Sequence, residues 1–171
     1  MRTIGPVVWR ELSLEPMRSH PPTKHEAWGW GPAPLNRDRK MPIKRVFSGA
    51  PWESTVGYCR AVKAHDHIFI SGTAPVDDQG GVFAPGDGYA QAKRCLEIVD
   101  KALQELGVSR AAVVRTRMFE TDISRWEEFG RAHGEFFAEH PPATSMVEVR
   151  SLIHKDMLIE IEVDAIQRES C

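Results

Sequence analysis

The sequence predicts an α+β domain, a mixed six-stranded sheet with two helices on one face. Three observations carry that prediction. Two runs between Thr144 and Ala165 alternate with period two, as half-buried strands do. Two segments upstream repeat apolar residues at spacings of three and four, as amphipathic helices do. The resulting order is β-β-(β)-α-β-α-β-β, and two helices can cover only one face of such a sheet.

Residues 1–40 are set apart by composition. They hold six of the twelve prolines and three of the five tryptophans (Trp9, Trp28 and Trp30), with seven Lys/Arg against four Asp/Glu. No helix or strand period persists between the prolines. This stretch is expected to be a poorly ordered extension, or upstream sequence read from a misplaced start with Met41 as the natural one. The domain then covers residues 41–171.

Val56–Val62 and His67–Ser71 read as strands joined by a turn at Lys63-Ala64-His65-Asp66. Asp77-Asp78-Gln79-Gly80-Gly81 reads as a turn, and Gly81–Ala84 as a short strand. Tyr89–Leu106 is a helix with Ala92, Cys95, Leu96, Val99, Leu103 and Leu106 on its apolar stripe, stopped by Gly107. Val113–Glu120 is a strand, with Val114, Thr116 and Met118 expected to face the helices and Arg115, Arg117 and Phe119 to face away. Ser124 and Glu127 have capping-box spacing and open a helix running to about Ala138. Pro141-Pro142 then forces the chain out of helix.

In the first of the last two runs, Ser145, Val147 and Val149 oppose Thr144, Met146, Glu148 and Arg150. In the second, Ile159, Ile161, Val163 and Ala165 oppose Leu158, Glu160, Glu162 and Asp164. The expected arrangement puts Glu148, Glu160 and Glu162 on one face with Arg117.

A net charge of −2 with no long single-sign block disfavours non-specific nucleic-acid binding. Cys59, Cys95 and Cys171 form no CxxC pair and suggest a reducing compartment. With no membrane-span-length apolar segment and no signal-peptide pattern, a cytoplasmic location is expected. His65-Asp66-His67 lies in a turn with no third ligand assigned, so no metal site is expected. No cofactor motif occurs either.

The segment Ile68-Phe69-Ile70-Ser71-Gly72-Thr73-Ala74-Pro75, the helix end Glu135-Phe136-Phe137 and the run Pro141–Ala165 together carry a whole-domain resemblance. From about Val56 to Ala165 the chain resembles the RidA/YjgF family, small trimeric proteins also named reactive-intermediate deaminases or endoribonuclease L-PSP. The resemblance implies a chorismate-mutase-like α+β fold, in which three sheets close a central barrel and ligand clefts lie between the subunits of a homotrimer.

It also implies roles for single residues. Glu160 matches the glutamate that positions an attacking water, and Tyr58 matches a cleft tyrosine. Ser71 and Gly72 match a strand end whose backbone amide lies near the ligand. Trp126 matches an aromatic position contributed across the subunit boundary, and backbone groups near Gly72 and Met146 hold the nitrogen end. There are two departures. Thr144 stands where deaminating members have a substrate-gripping arginine, and Gly130 where they tend to have an asparagine. Arg117 is therefore expected either to pair with the carboxylates on its face or to bind an anionic ligand in place of the missing arginine.

The implied activity is hydrolytic deamination of small reactive imines or enamines. An alternative is a non-catalytic metabolite-binding protein using the same cleft. A third, endoribonuclease action, rests on the family name alone.

Overall fold

A computed structural model describes residues 43–167, so the expectations for residues 1–40 fall outside the described residues. The elements are β1 (Ile43–Val46), α1 (Pro51–Val56), β2 (Ala61–Ala64), β3 (His67–Thr73), α2 (Gly88–Glu105), β4 (Val113–Glu120), α3 (Trp126–Phe136), β5 (Ala143–Glu148) and β6 (Ile159–Ile166). Single 3₁₀ turns precede β4 and α3. The strands form one six-stranded sheet in the order β1-β2-β3-β6-β4-β5. All neighbours are antiparallel except β4 and β5, which run parallel. A parallel pair needs a crossover connection, and α3 supplies it.

The sheet has six strands, as expected, but with one exchange. Gly81–Ala84 makes only an isolated bridge between Val76 and Val82, and the sixth strand is β1 instead. The expected strand Val56–Val62 is also corrected. Its first residue ends α1, Gly57 closes that helix in the left-handed region at φ 81°, and pairing begins only at Ala61. Pro51 at the first helical position presets the φ that α1 needs.

Helices α2 and α3 pack together on one face of the sheet. Ala92, Cys95, Leu96, Val99 and Leu103 of α2 and Phe129 and Ala132 of α3 meet Ile68, Ile70, Met118, Ile159, Ile161 and Val163 from the strands, and all are buried. Each large side chain among them contributes roughly 1.5–3 kcal/mol through removal from water. Gln91, fully buried among them, donates to Ala84 O and Asp156 O and accepts from Leu158 N–H, tying two loops to α2.

Two caps differ in kind from one another. Asp87 caps α2 by accepting from Ala90 N–H, and Gly107, at φ 70°, stops it as expected. The capping box at Ser124 is corrected: Asp122 accepts from both the Ser124 N–H and the Ser124 hydroxyl and caps the 3₁₀ turn before α3. Ser124 is thus the capped residue, because the chain enters α3 one turn earlier in 3₁₀ geometry.

Val114 is a further correction. It is 44% exposed, since the β4–β6 register shifts between Val113 and Arg115 and both Val113 and Thr116 face inward. Among the described residues no helix is long and apolar enough to cross a membrane.

Candidate functional site

The residues singled out in the sequence gather into two groups on opposite faces of the sheet. The first group lies on β3, β6 and the segment entering β2. Between Ile70 and Thr73 the β3–β6 register shifts, so Ser71 and Gly72 bulge out of the ladder. Arg60, buried, fastens the bulge: its Nη1 donates to Gly72 O (3.0 Å) and Thr73 Oγ1 (2.7 Å), with Ser71 O at 3.4 Å. The same guanidinium lies 5.7 Å from the centre of the Tyr58 ring. Ser71 Oγ donates to Cys59 O at 2.8 Å, which draws the two segments together.

Glu160 lies over this bulge. A Cβ at position 72 would meet Glu160 Oε1 and stand 2.9 Å from its carboxyl carbon, so glycine is what allows the approach. Among the described residues the Glu160 carboxylate accepts no hydrogen bond. Burial, followed by the Glu162 charge, raises its pKa above the ordinary carboxylate value, and Arg60 opposes them. Such a carboxylate is a stronger proton acceptor than a solvated one.

The second group lies between α3 and the edge strand β5. Thr116, Met118, Thr144, Met146 and Glu148 share the helix-facing side, because Thr116 pairs with Thr144 and Met118 with Met146 in the parallel register. Thr116 Oγ1 is 2.6 Å from Thr144 Oγ1 and 2.9 Å from His133 Nε2, and Thr144 Oγ1 is 3.3 Å from the same nitrogen. Burial holds the His133 pKa below its ordinary value, so the imidazole is neutral at physiological pH. One turn earlier on α3, the place where Gly130 would carry a Cβ is 3.8 Å from Trp126 Cε3 and 3.9 Å from Met146 Cε. Trp126 is 53% exposed, so it forms a surface rather than core packing.

The face assigned to Glu148 is corrected by this register. Ser145 pairs with Arg117 and Val147 with Phe119, so Ser145 and Val147 turn away from the helices and Glu148 turns toward them. There Glu148 Oε2 accepts from Ile123 N–H. The charged face instead consists of Arg115, Arg117, Glu160, Glu162 and Asp164. Arg117 donates to Asp164 at 2.9 Å and lies 3.4 Å from Glu162. Phe69, Phe119 and Val147 share that face, and Phe69 and Val147 are exposed. Among the described residues nothing covers this half-apolar surface.

Two residues with strong chemical character were not foreseen. Arg60 had no visible signal, since one arginine before a short strand is ordinary. Glu120 did have one: it continues the inward phase of Thr116 and Met118. Its side chain is fully buried, neither oxygen has a hydrogen-bond partner among the described residues, and burial raises its pKa to about 7. Among the described residues no cluster of His, Cys, Asp and Glu has the makings of a metal site. His65 occupies a tight turn between β2 and β3 at φ 57°.

The family model described as Endoribonuclease L-PSP matches residues 49–167. An uncharacterized protein of Streptomyces coelicolor is 33% identical over 123 residues, spanning 72% of this chain and 91% of its own. A 2-iminobutanoate/2-iminopropanoate deaminase of Salmonella typhimurium is 35% identical over 114 residues, spanning 65% of this chain and 88% of its own. Among solved structures, a Mycobacterium tuberculosis member of the YjgF/YER057c/UK114 family superposes with a TM-score of 0.67 at 41% identity, covering 74% of this chain and all of that one. With an α+β fold, a mixed six-stranded sheet and a family match spanning most of its length, the chain belongs to the RidA/YjgF (endoribonuclease L-PSP) family.

Proposed function

We propose that the chain is a cytoplasmic homotrimer that hydrolyses small reactive imines in clefts between its copies. One copy supplies Tyr58, Ser71, Gly72 and Glu160, and the next supplies Trp126, Thr144 and Met146. The division of these residues between opposite faces of one chain supports this, because no single copy brings the two groups together. The open surface of Phe69, Phe119 and Val147 supplies a reason to associate. Relatives named as 2-iminobutanoate/2-iminopropanoate and 3-aminoacrylate deaminases supply the reaction class.

The reaction is R₂C=NH + H₂O → R₂C=O + NH₃. Glu160 takes a proton from water as the oxygen adds to the imine carbon. That proton passes to nitrogen and completes the neutral carbinolamine. Its hydroxyl then gives up a proton as the C=O bond forms, the C–N bond breaks with its electron pair on nitrogen, and the second proton joins that nitrogen as ammonia leaves. The carboxylate over Gly72 carries this reading, since it is unpaired among the described residues and more basic than usual. Arg117, already shared by Glu162 and Asp164, is assigned to fixing that wall of the cleft.

Ammonia release from freshly generated imines is the test, with light scattering to follow assembly. Loss of a general base costs on the order of 10²–10⁴-fold, so Glu160→Gln should be nearly inactive while still trimeric. An unchanged rate refutes the assignment. The engagement of Thr144 by Thr116 and His133 favours a second reading, a cleft that binds a metabolite without turning it over. Binding by the wild-type protein without ammonia release distinguishes it.

A further inference from the structure

The half-site around Trp126, Thr144 and Met146 is uncharged, and this determines what kind of molecule the cleft accepts. The inference rests on the cleft reading above and names its substrate class. The groups around Thr144 are neutral: the exposed Trp126 indole, the open position at Gly130, the Met146 thioether, two threonine hydroxyls and a neutral His133 imidazole, while Glu148, farther along β5, is an acid held by Ile123 N–H. Thr116 has a single hydroxyl proton, shared within a triangle whose edges are 2.6, 2.9 and 3.3 Å, so most of the polar capacity there is already spent. The cations of α3 and of the 3₁₀ turn before it are engaged elsewhere. Arg125 pairs with Glu128, and Arg131 lies 4.0 Å from the centre of the Tyr89 ring.

A carboxylate set down in this half-site would lose its water and gain no ion pair, which is the costly case for a buried charge. The other wall adds to the penalty. Glu160 accepts no hydrogen bond there among the described residues, Arg117 is held by Glu162 and Asp164, Arg60 is held by Gly72 O and Thr73 Oγ1, and Arg115, opposite Asp164, is exposed. That wall favours a ligand that is neutral or becomes cationic when its imine nitrogen is protonated. The Trp126 and Met146 surface, in turn, gains from contact with an apolar or aromatic substituent.

We infer that the cleft selects imines without a carboxylate, placing their apolar substituent between Trp126 and Met146 and one hydrogen bond on Thr144. Such imines arise by oxidation of primary amines rather than of amino acids, so a reaction of that class must supply them.

Two inert product analogues differ only in the group at issue: phenylacetone carries a methyl where phenylpyruvate carries a carboxylate. Titration of the full chain with each, followed by ligand-observed NMR, should show the ketone binding at least tenfold more tightly. Thr144→Val should keep that preference and Trp126→Ala should weaken the ketone at least tenfold. Thr144→Arg should narrow or invert the preference. Equal or tighter binding of phenylpyruvate by the wild-type protein overturns the charge selectivity and leaves the cleft itself standing. Ketone affinity indifferent to Trp126→Ala overturns the placement. Failure of both ligands to bind, together with equal ammonia release by wild type and Glu160→Gln, overturns the cleft and this inference with it.

Discussion

Replacing Glu120 by glutamine should stabilise the protein above neutral pH and change little in acid. The carboxyl is fully buried at the end of β4, opposite Ile159 of β6 and Glu148 of β5, and neither oxygen has a hydrogen-bond partner among the described residues. Burial alone raises its pKa, from an ordinary 4.5 to about 7. Glu148, the titratable group beside it, is held by Ile123 N–H. Between the two values the folded protein keeps a proton that the unfolded chain has released. Stability therefore falls as pH rises through that window and levels off once the folded carboxyl has ionised. At about 1.4 kcal/mol per pH unit, the loss is about 3 kcal/mol.

A neutral amide does not titrate, and every other group is common to both proteins. The difference in Tm between Glu120→Gln and wild type thus isolates this carboxyl. In a domain of this size about 3 kcal/mol corresponds to about 10 °C. Calorimetry at pH 4.5, 6, 7.5 and 9, at one protein concentration, should show the difference opening by that order and saturating above pH 7. A difference independent of pH, or one that closes as pH rises, refutes the reasoning.

Gly72→Ala should cost activity far more than stability. The new methyl displaces the Glu160 carboxylate, the movable end of a side chain, so ammonia release should fall at least tenfold with a loss of about 1 kcal/mol or less in denaturant unfolding. Arg60→Met should do the reverse in emphasis. It strips donors from Ser71 O, Gly72 O and Thr73 Oγ1 in a buried setting, and the urea midpoint should report a loss of about 2–4 kcal/mol, with Arg60→Lys intermediate.

What the sequence made legible follows from where its periodicity is clean. β6 and α2 were readable because one face of each is buried throughout, so the period of two or of 3.6 survives in the residues themselves. β1 was not, since Ile43–Val46 is a four-residue edge strand with three exposed side chains and no imposed alternation. β5 alternates cleanly, yet its phase was assigned wrongly. Val147 reads as a core residue in isolation, but it pairs with Phe119 on the uncovered face, a fact held by the register with β4 rather than by β5.

The same limit applies to the candidate site. The family resemblance singled out Glu160 and Gly72, and the structure places the two residues close together. Arg60 is invisible in sequence because its partners are the backbone carbonyls of a bulge eleven and twelve residues away. The capping signal at Ser124 was misplaced by two residues, because the spacing of a capping box does not distinguish Ser124 from a residue that Asp122 itself caps.

The placement of the two residue groups on opposite faces of one sheet has a consequence for inheritance as well as for chemistry. Under the proposed cleft, the working unit is a pair of neighbouring chains, and a lesion at Glu160 spoils a different half from a lesion at Trp126. Two defective chains co-assembled in one cell would rebuild whole clefts wherever an intact face of one met an intact face of the other. Alleles of this gene are therefore expected to complement one another according to the side of the sheet on which they fall.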